Sequence, residues 1–123
     1  MTPAPSWLNT IIRQFGDGVG LKDFGLNARG AAVLRFETGT ALRFEYAFES
    51  LVVALQVPAP AEPSVLKRFL SLAQPARRPS FKLRVAYLAR SGSILLAARL
   101  AEREVTLPVL NTVFSDLWQF AKA

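Results

Sequence analysis

The chain has 123 residues, 51% of them hydrophobic, and a formal net charge of +6 with neither cysteine nor histidine. That length suits one domain with a modest core, expected to run over residues 1–123. Without Cys or His there are no disulfides, no thiolate nucleophiles, no Cys/His metal sites and no His-based triads, and nothing calls for a cofactor.

The opening "MTPAPSWLNT" has no basic n-region and no apolar h-region, so it does not read as a signal peptide. The longest apolar runs, such as "SLVVALQV" from Ser50, are far short of a bilayer span. The expectation is a soluble, cytoplasmic protein with no membrane partner.

The first predicted element is a helix with Ser6 as N-cap. Trp7, Leu8, Ile11, Ile12 and Phe15 form one apolar stripe, and Gly16 is expected to end it. The segment "GDGVGLKDFGLNARG" follows as a Gly-rich connection that turns Val19, Leu21, Phe24 and Leu26 toward the core. Its "GDGVG" resembles a dinucleotide loop only superficially, because it follows a helix and its glycine spacing is wrong.

Two alternating runs come next. "AAVLRFE" places Ala32, Leu34 and Phe36 on one face, and "ALRFEYA" places Leu42, Phe44 and Tyr46 on one face. The doubled "LRFE" is therefore a hairpin rather than a repeated catalytic unit. Partners across it must share a face, which demands an odd-length loop around Gly39. One allowed register sets Arg35 opposite Glu45 and Glu37 opposite Arg43, exposed pairs worth at most about 1 kcal/mol each.

"SLVVALQV" is a third strand, apolar on both faces. "PAPAEP" breaks the pattern, and a short second helix follows with Ser64 as cap and Val65, Leu66, Phe69, Leu70 and Leu72 as its stripe. "SVLK" fits Ser-x-x-Lys, but its companion motifs are missing and capping by Ser64 explains it. After "QPARRPS", the run "FKLRVAYL" alternates Phe81, Leu83, Val85 and Tyr87 against Lys82, Arg84, Ala86 and Leu88. "ILLAARL" is a fifth strand, "AEREV" turns the chain, and a last helix begins with Pro108 in its first turn. The order α-β-β-β-α-β-β-α lacks the regular alternation of a doubly wound fold. It implies an α+β fold with an antiparallel-dominated sheet.

Between Pro63 and Ala101 the chain carries Lys67, Arg68, Arg77, Arg78, Lys82, Arg84, Arg90 and Arg99 but no acidic residue. A basic face invites nucleic acid or an acidic protein. Alternation separates Phe81 and Tyr87 from Lys82 and Arg84, however, and bases stack where aromatics and cations share a face. A small basic nucleic-acid-binding module is therefore the weaker reading. The carboxylates are scattered without acid/base or metal spacing, so no enzyme is expected. What remains is a surplus of apolar residues on both end helices, the third strand and the fifth, which reads either as pure core or, the favoured reading, as a subunit interface plus a groove for an apolar peptide.

The stretches "SWLNTIIRQF", "GTALRFE" and "LAEREVTLPVLNTVFSDLW" resemble the class I chaperones of bacterial type III secretion, and within them the SycN-type family. The last stretch is the most specific, and the likeness runs over nearly the whole chain. The resemblance implies a cytoplasmic, non-enzymatic subunit that pairs with a second small chaperone of the YscB type. The pair would hold the N-terminal segment of a secreted gatekeeper of the YopN type; a homodimeric effector chaperone is the nearer alternative. Such chaperones pair through the second helix and the strand after it, which implies an interface of Val65, Leu66, Phe69, Leu70, Phe81, Leu83 and Val85. Cargo contacts are expected at Trp7, Ile11, Leu51, Val53 and Leu55. The family is usually acidic, and an acidic partner would offset this chain's +6.

Overall fold

A computed structural model describes residues 4–21, 24–36, 39–58, 67, 83–88, 90 and 92–122. Helix α1 (Ser6–Gly18) is followed by β1 (Ala31–Arg35), β2 (Ala41–Ala47), β3 (Ser50–Pro58), β4 (Leu83–Leu88) and β5 (Ser93–Ala101). A one-turn 3-10 helix, Glu102–Glu104, then leads into α2 (Leu107–Lys122). The strands form one sheet in the order β1-β2-β3-β5-β4. Every pairing in it is antiparallel. This is the expected α+β architecture, with β5 inserted between β3 and β4. The helix expected over 64–72 lies outside the described residues, Lys67 apart.

Alternation decides which side chains meet the helices. Leu42, Phe44 and Tyr46 of β2 stand beside Leu51, Val53 and Leu55 of β3, and Ile94, Leu96, Ala98 and Leu100 of β5 continue that face. Leu8, Ile12 and Phe15 of α1 and Leu110, Val113 and Leu117 of α2 complete the core. Phe15 sits at the centre, edge-on to Phe44 and to Phe114, with ring centroids 5.5 Å apart in each pair. Such edge-to-face pairs add about 0.5–1.5 kcal/mol each beyond the area they bury.

Both ends of α1 differ from the sequence expectation. Pro5 occupies the N-cap position with φ −59° and ψ 147°, and no side chain caps the helix. Proline fixes φ and so presets that extended entry. Ser6 is already helical, and its carbonyl accepts a bond from the Thr10 hydroxyl at 3.1 Å. Gly16 does not end the helix. The chain turns at Gly20 (φ +88°), where Leu21 N–H donates to the Gly16 carbonyl and Gly20 N–H to that of Asp17. That pair of bonds is a Schellman motif. Gly16 is buried, and a Cβ there would lie 2.6 Å from the Cβ of Phe24. The glycine lets Phe24 press onto the helix and reach Phe44, 5.8 Å away between ring centroids. Phe24 and Leu26 do pack on the core, whereas Val19 remains exposed.

The β1–β2 hairpin has the odd-length loop that the alternation requires, because Arg35 pairs with Ala41. Its register is not the ion-paired one. Glu45 faces Ala31 and Arg43 faces Val33. Arg43 turns instead to β3, where its Nε donates to Gln56 Oε1 at 3.2 Å. Gly39 at φ +88° and a bond from Phe36 N–H to the Thr40 carbonyl (2.8 Å) close the loop early and set this register.

Candidate protein-binding surfaces

Trp7 and Ile11 are one helical turn apart on α1. Ile11 is partly buried against the core, while Trp7 is 44% exposed. The Asn9 side chain anchors the segment that follows: its Oδ1 accepts from Leu26 N–H at 2.9 Å. Gly25 allows that approach, since a Cβ on it would stand 2.8 Å from the same oxygen. The face of α1 that carries Trp7 is thus held in place from behind by a buried stripe and a clamped loop. On α2, Phe114 and Trp118 meet at a tilt, ring centroids 5.8 Å apart, and Phe36 stacks on Phe114 and lies tilted against Trp118. These rings are only partly buried, so the sheet's β1 edge and α2 share a large aromatic surface.

The structure corrects three expected cargo contacts. Leu51, Val53 and Leu55 are 0% exposed and lie in the core beneath the helices. Strand β3 reads as apolar on both faces because it is central, and the face of these three residues is the one the helices cover. A cargo chain could reach them only by unpacking the core. On the other face of β3 stand Val52, Ala54 and Gln56, with Gln56 Nε2 donating to Ser93 Oγ at 3.3 Å.

Strand β4 is an edge of the sheet. Leu83 pairs with Ala98 and Val85 with Leu96, and Val85 packs partly buried on the core. The remaining expected interface positions, Val65, Leu66, Phe69, Leu70 and Phe81, lie outside the described residues. Arg84 pairs with Ala97 and Tyr87 with Ile94, so cation and aromatic occupy opposite faces of β4. Tyr87 is 37% exposed, because it stands near the end of an edge strand.

One exposed residue carries no signal in the alternation. Strands β2 and β3 join through a two-residue loop, Phe48-Glu49, since Ala47 pairs with Ser50. Both residues have positive φ, +51° and +58°. Phe48 is 91% exposed. The gap between the runs ending at Ala47 and starting at Ser50 marks a turn. The usual glycine or asparagine is absent from it, so its geometry is not legible. Behind it, Glu102 N–H donates to the Glu49 carbonyl at 2.9 Å and the Tyr46 hydroxyl to Glu102 Oε1 at 2.8 Å. The hydrogen bond to Glu102 pushes the Tyr46 phenol above its ordinary pKa, with burial and the nearby carboxylates acting in the same direction.

Among the described residues no group of three His, Cys, Asp or Glu side chains could hold a metal ion. No described helix is long and apolar enough to cross a membrane.

The model of the type III secretory system chaperone SycN family matches residues 7–122. The chain belongs to that family. It is accordingly a type III secretion chaperone that binds a secreted protein and is not an enzyme. No curated protein matches the chain at significant sequence similarity. Solved structures share the fold at low identity. A chain of the ExsC-ExsE complex is 20% identical, with a TM-score of 0.78 over 98% of this chaperone and 92% of that chain. A chain of the HopA1-SchA chaperone-effector complex is 14% identical, with a TM-score of 0.72 over 98% and 96%. A chain of the Yersinia pestis chaperone SycH in complex with a stable fragment of YscM2 is 16% identical, with a TM-score of 0.69 over 93% and 96%.

Proposed function

We propose that this chaperone works in the cytoplasm as one half of a heterodimer with a second small chaperone of the YscB type. Its cargo is the N-terminal segment of a secreted gatekeeper of the YopN type, which the pair keeps competent for secretion. The family match over residues 7–122 carries this reading. Two features support its finer parts. The chain is at +6, and its acid-free stretch from Pro63 to Ala101 includes the helix expected over 64–72 and the strand after it, the elements expected at the subunit interface. Two such runs facing each other in a homodimer would repel, whereas an acidic partner converts the same charges into attraction and faster association. The exposed Trp7 with Ile11 beneath it gives the cargo an aromatic anchor of the kind that dominates binding energies. The whole chain acts as one domain, 1–123.

The test is binding of the gatekeeper's N-terminal segment to the co-expressed chaperone pair, read by titration calorimetry. Trp7→Ala is expected to weaken binding at least tenfold, while Tm moves little because the side chain is half out of the protein. Unchanged affinity in Trp7→Ala would remove Trp7 from the cargo surface. Failure of the wild-type pair to bind any gatekeeper segment would remove the cargo reading.

A further inference from the structure

The β2–β3 turn spends conformational energy on a residue that the fold does not use. A two-residue hairpin loop with both φ values positive is the geometry that asparagine and glycine adopt with least strain. Here the positions are filled by Phe48 and Glu49, at φ +51° and +58°. Non-glycine residues persist in the left-handed region only where the surroundings hold them there, and such outliers gather at functional sites. The surroundings do hold this turn. The Glu49 carbonyl accepts from Glu102 N–H, Tyr46 donates to the Glu102 carboxylate, and Ala101 N–H donates to Glu104 Oε1 at 3.3 Å. Yet Phe48 gains no packing from this arrangement, being 91% exposed. A bulky aromatic side chain is thus strained in backbone, carried on a hydrogen-bonded turn, and bare.

The charges around it are unusual for this molecule. Nine acidic residues occur in a chain of net charge +6. Four of them, Glu45, Glu49, Glu102 and Glu104, lie on this hairpin and on the turn bonded to it. The described cations on the hairpin and the elements beside it are Arg43 of β2, bonded to Gln56, Arg35 of β1 and Arg29 before it, Arg99 across Val52 from Glu45, and Arg103 in the same turn as Glu102 and Glu104. At the tip itself the carboxylates of Glu49, Glu102 and Glu104 outnumber Arg103. A cation in a bound chain meets a protein of net charge +6 and finds carboxylates gathered at this tip.

We propose that Phe48 is a register-setting anchor for the cargo: the bound segment packs an apolar residue against the Phe48 ring and sets a neighbouring Lys or Arg among Glu49, Glu102 and Glu104. This rests on the cargo reading above and adds to it a residue and the chemistry of the stretch it selects. Apolar contact alone would let an extended chain slide, and one charge pairing that is favourable at a single place fixes its alignment, as a single polar position does in a coiled coil.

The experiment uses the chaperone pair and the N-terminal gatekeeper segment, with Phe48→Asn and Glu49→Lys compared to wild type by calorimetry and thermal melts. Asparagine tolerates positive φ, so Phe48→Asn should raise Tm while weakening cargo binding at least tenfold. A residue of merely structural value would not lose binding as the fold gains stability. Glu49→Lys should also weaken binding, and more so at low salt, where repulsion of the cargo cation is least screened. Binding by Phe48→Asn within twofold of wild type overturns the proposal and leaves the cargo reading intact, provided that the wild type binds. Loss in Phe48→Asn with no effect of Glu49→Lys overturns the charge selection. No binding by wild type removes both readings.

Discussion

Single residues here are chosen for what they allow as much as for what they contribute. Gly16 sits inside α1, where alanine is normally the better helix former by about 1 kcal/mol. Its missing Cβ is the space that Phe24 occupies, and overpacking against a side-chain carbon at 2.6 Å outweighs the propensity gain. Gly16→Ala should therefore destabilise the chain by about 1–2 kcal/mol in urea unfolding, contrary to the helix-propensity order. Tyr46 poses the opposite question, because its hydroxyl donates to Glu102. The neutral phenol is the form that donates, and its folded pKa is raised above the ordinary value near 10. Its contribution is therefore complete below that ordinary value and is lost as pH rises through the raised one. Tyr46→Phe should melt below wild type at neutral pH, and the gap should close in alkaline buffer. A gap that persists unchanged above the tyrosine range would show that the hydrogen bond is not its source.

Helices α1 and α2 hold to the sheet through one aromatic junction, in which Phe15 of α1 touches Phe44 of β2 and Phe114 of α2. Phe15→Ala would open a cavity between three elements and should cost about 3–5 kcal/mol, read as a fall in the urea midpoint with little change in slope. A loss below about 1 kcal/mol would mean that the helices dock independently of this junction. The inward residues of this junction were legible in the sequence, since a period of two in β1 and β2 and helical spacing in α1 and α2 both report burial on one side. The β3 cargo contacts were not. Leu51, Val53 and Leu55 alternate with Val52 and Ala54, and an apolar run cannot say which of its faces the helices cover. The hairpin's parity was legible and its register was not, because Gly39 and the Phe36–Thr40 bond choose among registers that pattern alone leaves equivalent. Phe48 was invisible for a related reason: an exposed aromatic in a turn has the same letter as a core aromatic in a strand.

The whole molecule joins an apolar surplus to a charge imbalance. Its net charge is +6, while Glu49, Glu102 and Glu104 lie at the β2–β3 tip and on the turn bonded to it. The account's central claim is that the chain completes itself with an acidic second chaperone around a secreted segment. Native mass spectrometry of the co-expressed chain, a neighbouring YscB-type chaperone and the gatekeeper's N-terminal segment tests it most directly. The account predicts one copy of each in a stable complex, dissociated by Phe69→Asp in the expected interface helix. A tight homodimer of this chain at nanomolar concentration, unchanged by the second chaperone, would contradict it.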